Sequence, residues 1–369
     1  MTFARRANEG APLSDLIPQH TNSKGLRPDP QKLLASVGNR VDFERIAALA
    51  GKSIVSADQF DRPLVEELAK FSALLEITEI ASHHPLDGKL VVTAFFEAST
   101  RTRLSFESAV LRLDGKIVSV PDGRVTGVAK GESLADIGEM LNTYGDLVVL
   151  RHPETSSVDE IRRNLVLPLI NAGNGSGEHP TQALIDWYVL LKHRPELLRD
   201  DLTEAEKIHI GIIGTPGSMR AVKSFLRLAL RFDNAIRRIT VVSETADALG
   251  EDLVGAVSDS SVAISTTNEL VDILPDMDVV YMNSIALIGG SYHNLDSRYR
   301  LDCNSPLKQG AVIMHPFARN EELDVGLDDS QHNLYFAQAA GAVYARQALL
   351  IALLDRISRL PPSLRLLTT

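Results

Sequence analysis

From about residue 55 the chain alternates short apolar runs with longer stretches in which apolar residues recur every three or four positions. The runs are Leu90-Val91-Val92-Thr93-Ala94, Leu147-Val148-Val149-Leu150, the segment from Pro168 to Ala172, Ile208-His209-Ile210-Gly211-Ile212-Ile213, Ile239-Thr240-Val241-Val242-Ser243, Asp278-Val279-Val280-Tyr281-Met282 and Val312-Ile313-Met314. Short continuous apolar runs predict strands buried on both faces, as in parallel sheets. The stretches between them predict helices, one carrying Leu104, Phe106, Val110 and Leu113, another Ala183, Leu184, Trp187, Leu190 and Leu191. The expected fold is therefore α/β: two domains, each a parallel sheet flanked by helices, with the site in the cleft between them. A polar stretch from His193 to Lys207 separates the two sets of strands. It divides a 51–196 domain from a 197–335 domain, and 369 residues are enough for both. Residues 1–50, rich in Gly, Pro, Asn and Arg, are expected to form an extension partly disordered or draped on the surface. Residues 336–369 carry a long final helix, roughly 336–357.

The strand ends carry the chemistry. The first strand breaks into Phe95-Phe96-Glu97-Ala98-Ser99-Thr100-Arg101-Thr102-Arg103 at a helix start. Free main-chain N–H groups, the positive end of a helix dipole, several hydroxyls and guanidinium forks in one place suit a phosphate. Capping alone needs one hydroxyl and explains neither the others nor both arginines. The next strand ends in Arg151-His152-Pro153, where parallel sheets collect ligands. Another runs through Asn171 to Gly175, after which His179-Pro180-Thr181-Gln182 opens a helix with His179 and Gln182 on one face. The strand Val312–Met314 leads to His315-Pro316-Phe317-Ala318-Arg319.

Charge, cysteine content and hydropathy narrow the class. With 38 basic and 48 acidic side chains the net charge is −10, which points away from nucleic acid and anionic membranes. Anionic substrates would then be drawn by a local arginine cluster. Cys303 stands alone, so no internal disulfide or multi-cysteine metal site is expected, and the thiol reads as structural. With no apolar run of 18 residues and no signal-like start, a soluble, cytoplasmic protein is expected. A competing reading rests on Gly211-Ile212-Ile213-Gly214-Thr215-Pro216-Gly217 and Glu244, which together look like a dinucleotide-binding turn with its ribose-binding acid. That turn departs from the GxGxxG spacing and leaves Ser99–Arg103 unexplained. A non-catalytic assembly partner would need neither set.

Taken together, Phe95–Arg103, Lys130-Gly131-Glu132-Ser133-Leu134-Ala135-Asp136, Arg151–Pro153, Asn171–Gln182 and Tyr335–Leu350 resemble the aspartate and ornithine carbamoyltransferase family, most closely its aspartate branch. The resemblance covers roughly residues 55–358. It implies transfer of a carbamoyl group from carbamoyl phosphate to an amino acid, most readily L-aspartate to N-carbamoyl-L-aspartate in pyrimidine biosynthesis, without metal or organic cofactor. It implies that Ser99, Thr100, Arg101 and Thr102 hold the phosphate. Thr102, Arg151 and His179 would face the carbonyl oxygen, while Gln182 and the main-chain carbonyls of Pro316 and Phe317 receive the carbamoyl amide. Arg220 would meet an acceptor carboxylate. Thr126 and Lys130 would reach into the site of a neighbouring copy in a homotrimer, which the resemblance also allows to sit within a larger assembly. The final helix would pack back on the first domain. One departure stands out: after Met282 the family's aspartate enzymes carry Thr-Arg-Val-Gln, whereas this chain has Asn283-Ser284-Ile285-Ala286. The Pro-Leu-Pro-Arg turn is altered to Pro316-Phe317-Ala318-Arg319, and the Ser-Met-Gly signature of the ornithine enzymes is absent. Either another arginine, such as Arg298 or Arg300, takes over, or the acceptor is a different amine.

Overall fold

A computed structural model describes residues 24–36, 40–78, 80–245, 247–283, 285–288, 291–294 and 297–365. Four strands, β1 (Leu90–Phe95), β2 (Lys116–Val120), β3 (Leu147–His152) and β4 (Leu169–Asn174), form an all-parallel sheet in the order β2-β1-β3-β4. A second sheet joins β5 (Ile208–Ile213), β6 (Ile236–Val242), β7 (Ala263–Thr267), β8 (Val279–Met282) and β11 (Val312–Met314) in the order β11-β8-β5-β6-β7, again all parallel. Between β8 and β11 the chain makes an antiparallel hairpin, β9 (Ile285–Ile288) with β10 (Ser291–Asn294). Parallel strands need crossovers, which is why the apolar runs alternate with helical periodicity. β3, β4 and β5 are buried along their whole length, whereas the edge strands β2 and β7 are half exposed.

Six helices position the site: α1 (Arg62–Ile77), α2 (Thr100–Arg112), α3 (Leu134–Leu141), α4 (Pro180–His193), α5 (Arg220–Ala229) and α6 (Tyr335–Leu353). The last of these returns across the molecule to pack on α1, α2 and α4. Among the described residues it is the one helix long and apolar enough to cross a membrane, but it is buried at the centre of the protein. The two sheets are joined through α4 and α5, where Trp187 stacks on Phe232 with centroids 4.0 Å apart and Phe225 stacks on Tyr281 at the same separation. One continuous apolar core runs through these contacts.

The N-terminal segment departs from expectation. Short helices at Pro30–Ser36 and Phe43–Ala47 bury Leu33, Leu34, Val41, Phe43 and Ile46 in that core, with Phe43 edge-on to Phe71. A few well-spaced apolar residues anchor this segment although its composition is rich in helix breakers. Residues 1–23 of the expected extension lie outside the described residues.

Candidate active site

The C-terminal ends of β1, β3, β4, β5 and β11 face a common cavity of about 1030 Å³. Ser99, Thr100, Arg101, Thr102, Arg151, His179, Gln182, Arg220, Pro316 and Phe317 all line it, so the structure gathers these ten sequence-predicted residues at one place.

The phosphate-like cradle is built by α2. Ser99 is its N-cap residue, yet its hydroxyl makes no capping hydrogen bond, and the first-turn N–H groups have no intrahelical acceptor. Thr102 is buried beneath them. Arg101 lies over the Phe317 ring, 5.5 Å from its centroid, and burial pulls its pKa below the ordinary arginine value. Arg346, reaching in from α6, donates to the main-chain oxygen of Thr102 at 3.3 Å and sits 4.3 Å over Phe106. Burial pushes its pKa down to about 9. Among the described residues neither Arg101 nor Arg346 has a carboxylate within ion-pair distance. The exposed Arg101 and the buried Arg346, beside uncommitted hydroxyls and N–H groups, form a site for a multiply charged anion.

The opposite wall is held by salt bridges. Arg151, at the end of β3, donates from Nε to Glu97 at 2.7 Å and from Nη1 to the Ala172 carbonyl at 3.0 Å. Glu97 also pairs with Arg220 at 3.1 Å, and Arg220 donates to the Gly175 carbonyl at 2.8 Å. The approach of Arg151 requires Gly173: a Cβ there would stand 2.5 Å from Nη1, and its φ of +114° suits glycine. His179 caps α4 through its backbone only, and its main-chain N–H donates to Ser224 Oγ. Burial, then Arg151, Arg346 and Arg220, hold its ring well below the usual histidine pKa, so it is neutral at neutral pH.

A buried polar network lies beneath. Gln182 donates from Nε2 to Asp186 Oδ1 at 2.7 Å, Gln338 donates to the same oxygen at 2.6 Å, and the Tyr281 hydroxyl donates to Oδ2 at 2.7 Å. Gln338 in turn accepts the His315 main-chain N–H at 2.8 Å. The Phe317 N–H donates to His315 Nδ1, which leaves Nε2 to carry the proton toward Glu322 at 2.8 Å. These contacts shape the turn carrying Pro316 and Phe317, in which the Phe317–Ala318 peptide is cis.

Sequence reasoning did not single out Asp186, Gln338 and Arg346 as site residues. The spacing of Gln182 and Asp186, four apart on one helix, was a usable signal. Several sequence-predicted residues lie elsewhere. Thr126 and Lys130 sit on a loop outside the cavity of their own chain, Lys130 exposed. Arg300 is paired with Asp324 and Arg298 lies over Tyr299; neither lines the cavity. Ser284 lies outside the described residues. Cys303 is exposed rather than in the core, because it follows β8 and its hairpin on a surface turn. In the glycine turn after β5 the Gly214 N–H donates to the Val242 carbonyl and the Gly217 N–H to the Ala248 carbonyl, and a Cβ at Gly217 would stand 3.0 Å from Gly250. Those two N–H groups are therefore taken and not free to receive a pyrophosphate.

Parallel sheets whose strand ends converge on an arginine-lined, hydroxyl-rich anion site define an α/β group-transfer enzyme of the phosphate-binding kind. Residues 52–192 match the carbamoyl-phosphate-binding domain of the aspartate/ornithine carbamoyltransferases, and residues 206–353 match their Asp/Orn-binding domain. The aspartate carbamoyltransferase catalytic subunit of Picrophilus torridus is 35% identical over 73% of this chain and 86% of its own. That of Alkaliphilus oremlandii is 33% identical over 86% of this chain and 95% of its own. The crystal structure of Trypanosoma cruzi aspartate transcarbamoylase with carbamoyl phosphate and aspartate superposes with a TM-score of 0.73 at 31% identity, covering 84% of this chain and 98% of the other. The chain belongs to the aspartate/ornithine carbamoyltransferase family.

Proposed function

We propose that this protein transfers the carbamoyl group of carbamoyl phosphate to the amino group of L-aspartate, releasing phosphate and N-carbamoyl-L-aspartate, a step of pyrimidine biosynthesis. The observation that carries the reading is the Ser99–Thr102 cradle with the exposed Arg101 and the buried Arg346, two cations without a carboxylate partner among the described residues. The reaction needs donors where charge develops more than it needs a protein nucleophile. Ser99, Thr100, Arg101 and Thr102 take the phosphate. Arg151 and neutral His179 stand opposite and, together with Thr102 of the cradle, suit the carbonyl oxygen, and Gln182 with the Pro316 and Phe317 carbonyls suits the carbamoyl amide. Arg220 is the cavity arginine available to an acceptor carboxylate, and Lys130 on its exposed loop completes the site of a neighbouring copy in a homotrimer.

A second reading, in which the acceptor is another amine, is favoured by Asn283-Ser284-Ile285-Ala286 in place of the usual aspartate grips, and by the distance of Arg298 and Arg300 from the cavity. An acceptor screen with carbamoyl phosphate, reading phosphate release and product mass, tests both. Aspartate-dependent release with the mass of carbamoyl aspartate is expected. Release with another amine alone replaces aspartate, and no acceptor-dependent release overturns the assignment.

A further inference from the structure

We propose that Asp186 is a positioning residue that fixes the amide orientation of Gln182, so that Gln182 presents its oxygen to the cavity and selects the carbamoyl end of the substrate. This rests on the carbamoyltransferase reading and extends it to a residue that does not line the cavity.

A glutamine amide carries a donor and an acceptor of nearly equal shape, and its environment decides which faces a ligand. A carbamoyl NH₂ offers only donors, so the protein atom that meets it must be an acceptor. Gln182 achieves this only if its own NH₂ is engaged elsewhere, and Asp186 Oδ1 engages it at 2.7 Å. Oδ1 already receives the Gln338 NH₂ and Oδ2 the Tyr281 hydroxyl, so Oδ1 serves as an acceptor and a reversed Gln182 amide would set oxygen against oxygen. The same oxygen orients a second amide. Gln338 donates to it at 2.6 Å and thereby turns its own oxygen to the His315 N–H, at the root of the turn that carries the Pro316 and Phe317 carbonyls.

Three acceptors suited to one NH₂ group, on α4 and on the β11 turn, thus trace to a single carboxylate. Asp186 is fully buried, and no cation lies within ion-pair distance of it among the described residues. Its partners Gln182, Gln338 and Tyr281 all act as donors. A purely structural role would be served as well by a neutral group. Burial raises the Asp186 pKa to about 7 while the hydrogen bonds from Tyr281, Gln338 and Gln182 act the other way, and these three donors hold both of its oxygens as acceptors, which is what orientation requires.

The test compares two probes by calorimetry on the full chain. Inorganic phosphate reads the α2 cradle, and carbamoyl phosphate reads the cradle plus the amide acceptors. Asp186→Asn supplies a donor where the carboxylate had none. It is expected to weaken carbamoyl phosphate by about tenfold or more while phosphate stays within about twofold. Tyr281→Phe disturbs the same buried packing but leaves the carboxylate an acceptor, and keeps the preference for carbamoyl phosphate. In a Gln182→Ala background, Asp186→Asn adds little further loss, because the two act through one contact.

Equal weakening of both probes by Asp186→Asn, or equal loss of preference in Tyr281→Phe, overturns the proposal. Gln182→Ala retaining the full preference also overturns it, whether or not the Asp186 variant folds. A wild-type chain that prefers phosphate to carbamoyl phosphate contradicts the carbamoyltransferase reading itself, a separate outcome.

Discussion

The two halves of the cavity are built by different means. The half beneath the first sheet uses strand ends and helix starts: buried Arg151 is held by Glu97 and the Ala172 carbonyl, Thr102 receives Arg346 on its main-chain oxygen, and the His179 N–H donates to Ser224 Oγ. The half beneath the second sheet uses Asn283 after β8 and the Pro316–Ala318 turn, and Arg220 is the arginine that α5 lends it. Rigid elements carry the chemistry shared across a family, while connecting segments carry what distinguishes members. The altered Asn283–Ala286 and Pro316–Arg319 segments both belong to the second half.

The largest effect that separates the halves is expected from Arg101→Ala. Under the proposed function it removes a donor to the leaving phosphate, and it should lower turnover about 100- to 1000-fold. Because Arg101 pairs with no carboxylate, nothing is orphaned, and the unfolding temperature should move by no more than about 2 °C. Turnover near wild type would show that the first half is not the donor site.

Lys130 sharpens the question of whether that half is complete within one chain. Lys130→Ala and Arg151→Ala should each lose turnover by about 100-fold or more. If the proposed homotrimer forms, assemblies reconstituted from a mixture of the two should regain part of it, since some interfaces pair an intact Arg151 with a neighbour's intact Lys130. Verified mixed assemblies without recovery would place Lys130 outside any shared site.

Arg220→Ala should act on the other half, raising the acceptor KM about 10- to 100-fold by removing a charge-assisted pair, with carbamoyl phosphate binding reduced less. Equal loss on both substrates would mean that Glu97, which holds Arg220 and Arg151 together, makes the halves one unit.

The smallest expected effect lies behind the second half. His209 is buried in β5 with Nε2 2.8 Å from Thr240, and burial followed by the nearby Arg238 lowers its pKa from 6.5 to about 4. The unfolded histidine takes a proton with a midpoint near 6.5 and the folded one only near 4, so stability falls as pH drops through that window. His209→Gln should flatten this loss by about 1–3 kcal/mol, as read from urea unfolding at pH 7 and pH 4.5. An unchanged slope would assign the acid sensitivity to His179 and His315 in the site instead.

Much of this was legible in the sequence because its signals are local. Apolar runs broken by hydroxyls, arginine or histidine mark strand ends, and β5 and β11 have the bounds their runs predict. The network under Gln182 was not legible. Asp186 meets Tyr281 across 95 positions and Gln338 across 152, and nothing in a helix reading distinguishes a buried aspartate from a solvated one. The helices at residues 30–47 were hidden by composition, since five buried apolar residues are too few to show a period. The acceptor side fails for a different reason: a lost motif says what is missing, not what replaces it.

The return of α6 to the first sheet also sets an order in time. Synthesis releases β1 to β4 well before the helix that covers them, an interval of roughly ten to thirty seconds at about 5–20 residues per second. Until then the nascent first half lacks Gln338, Arg346 and the apolar face meant for α1, α2 and α4. A chain released before residue 335 would therefore hold most of the family's motif residues, yet have neither a finished core nor a finished anion site.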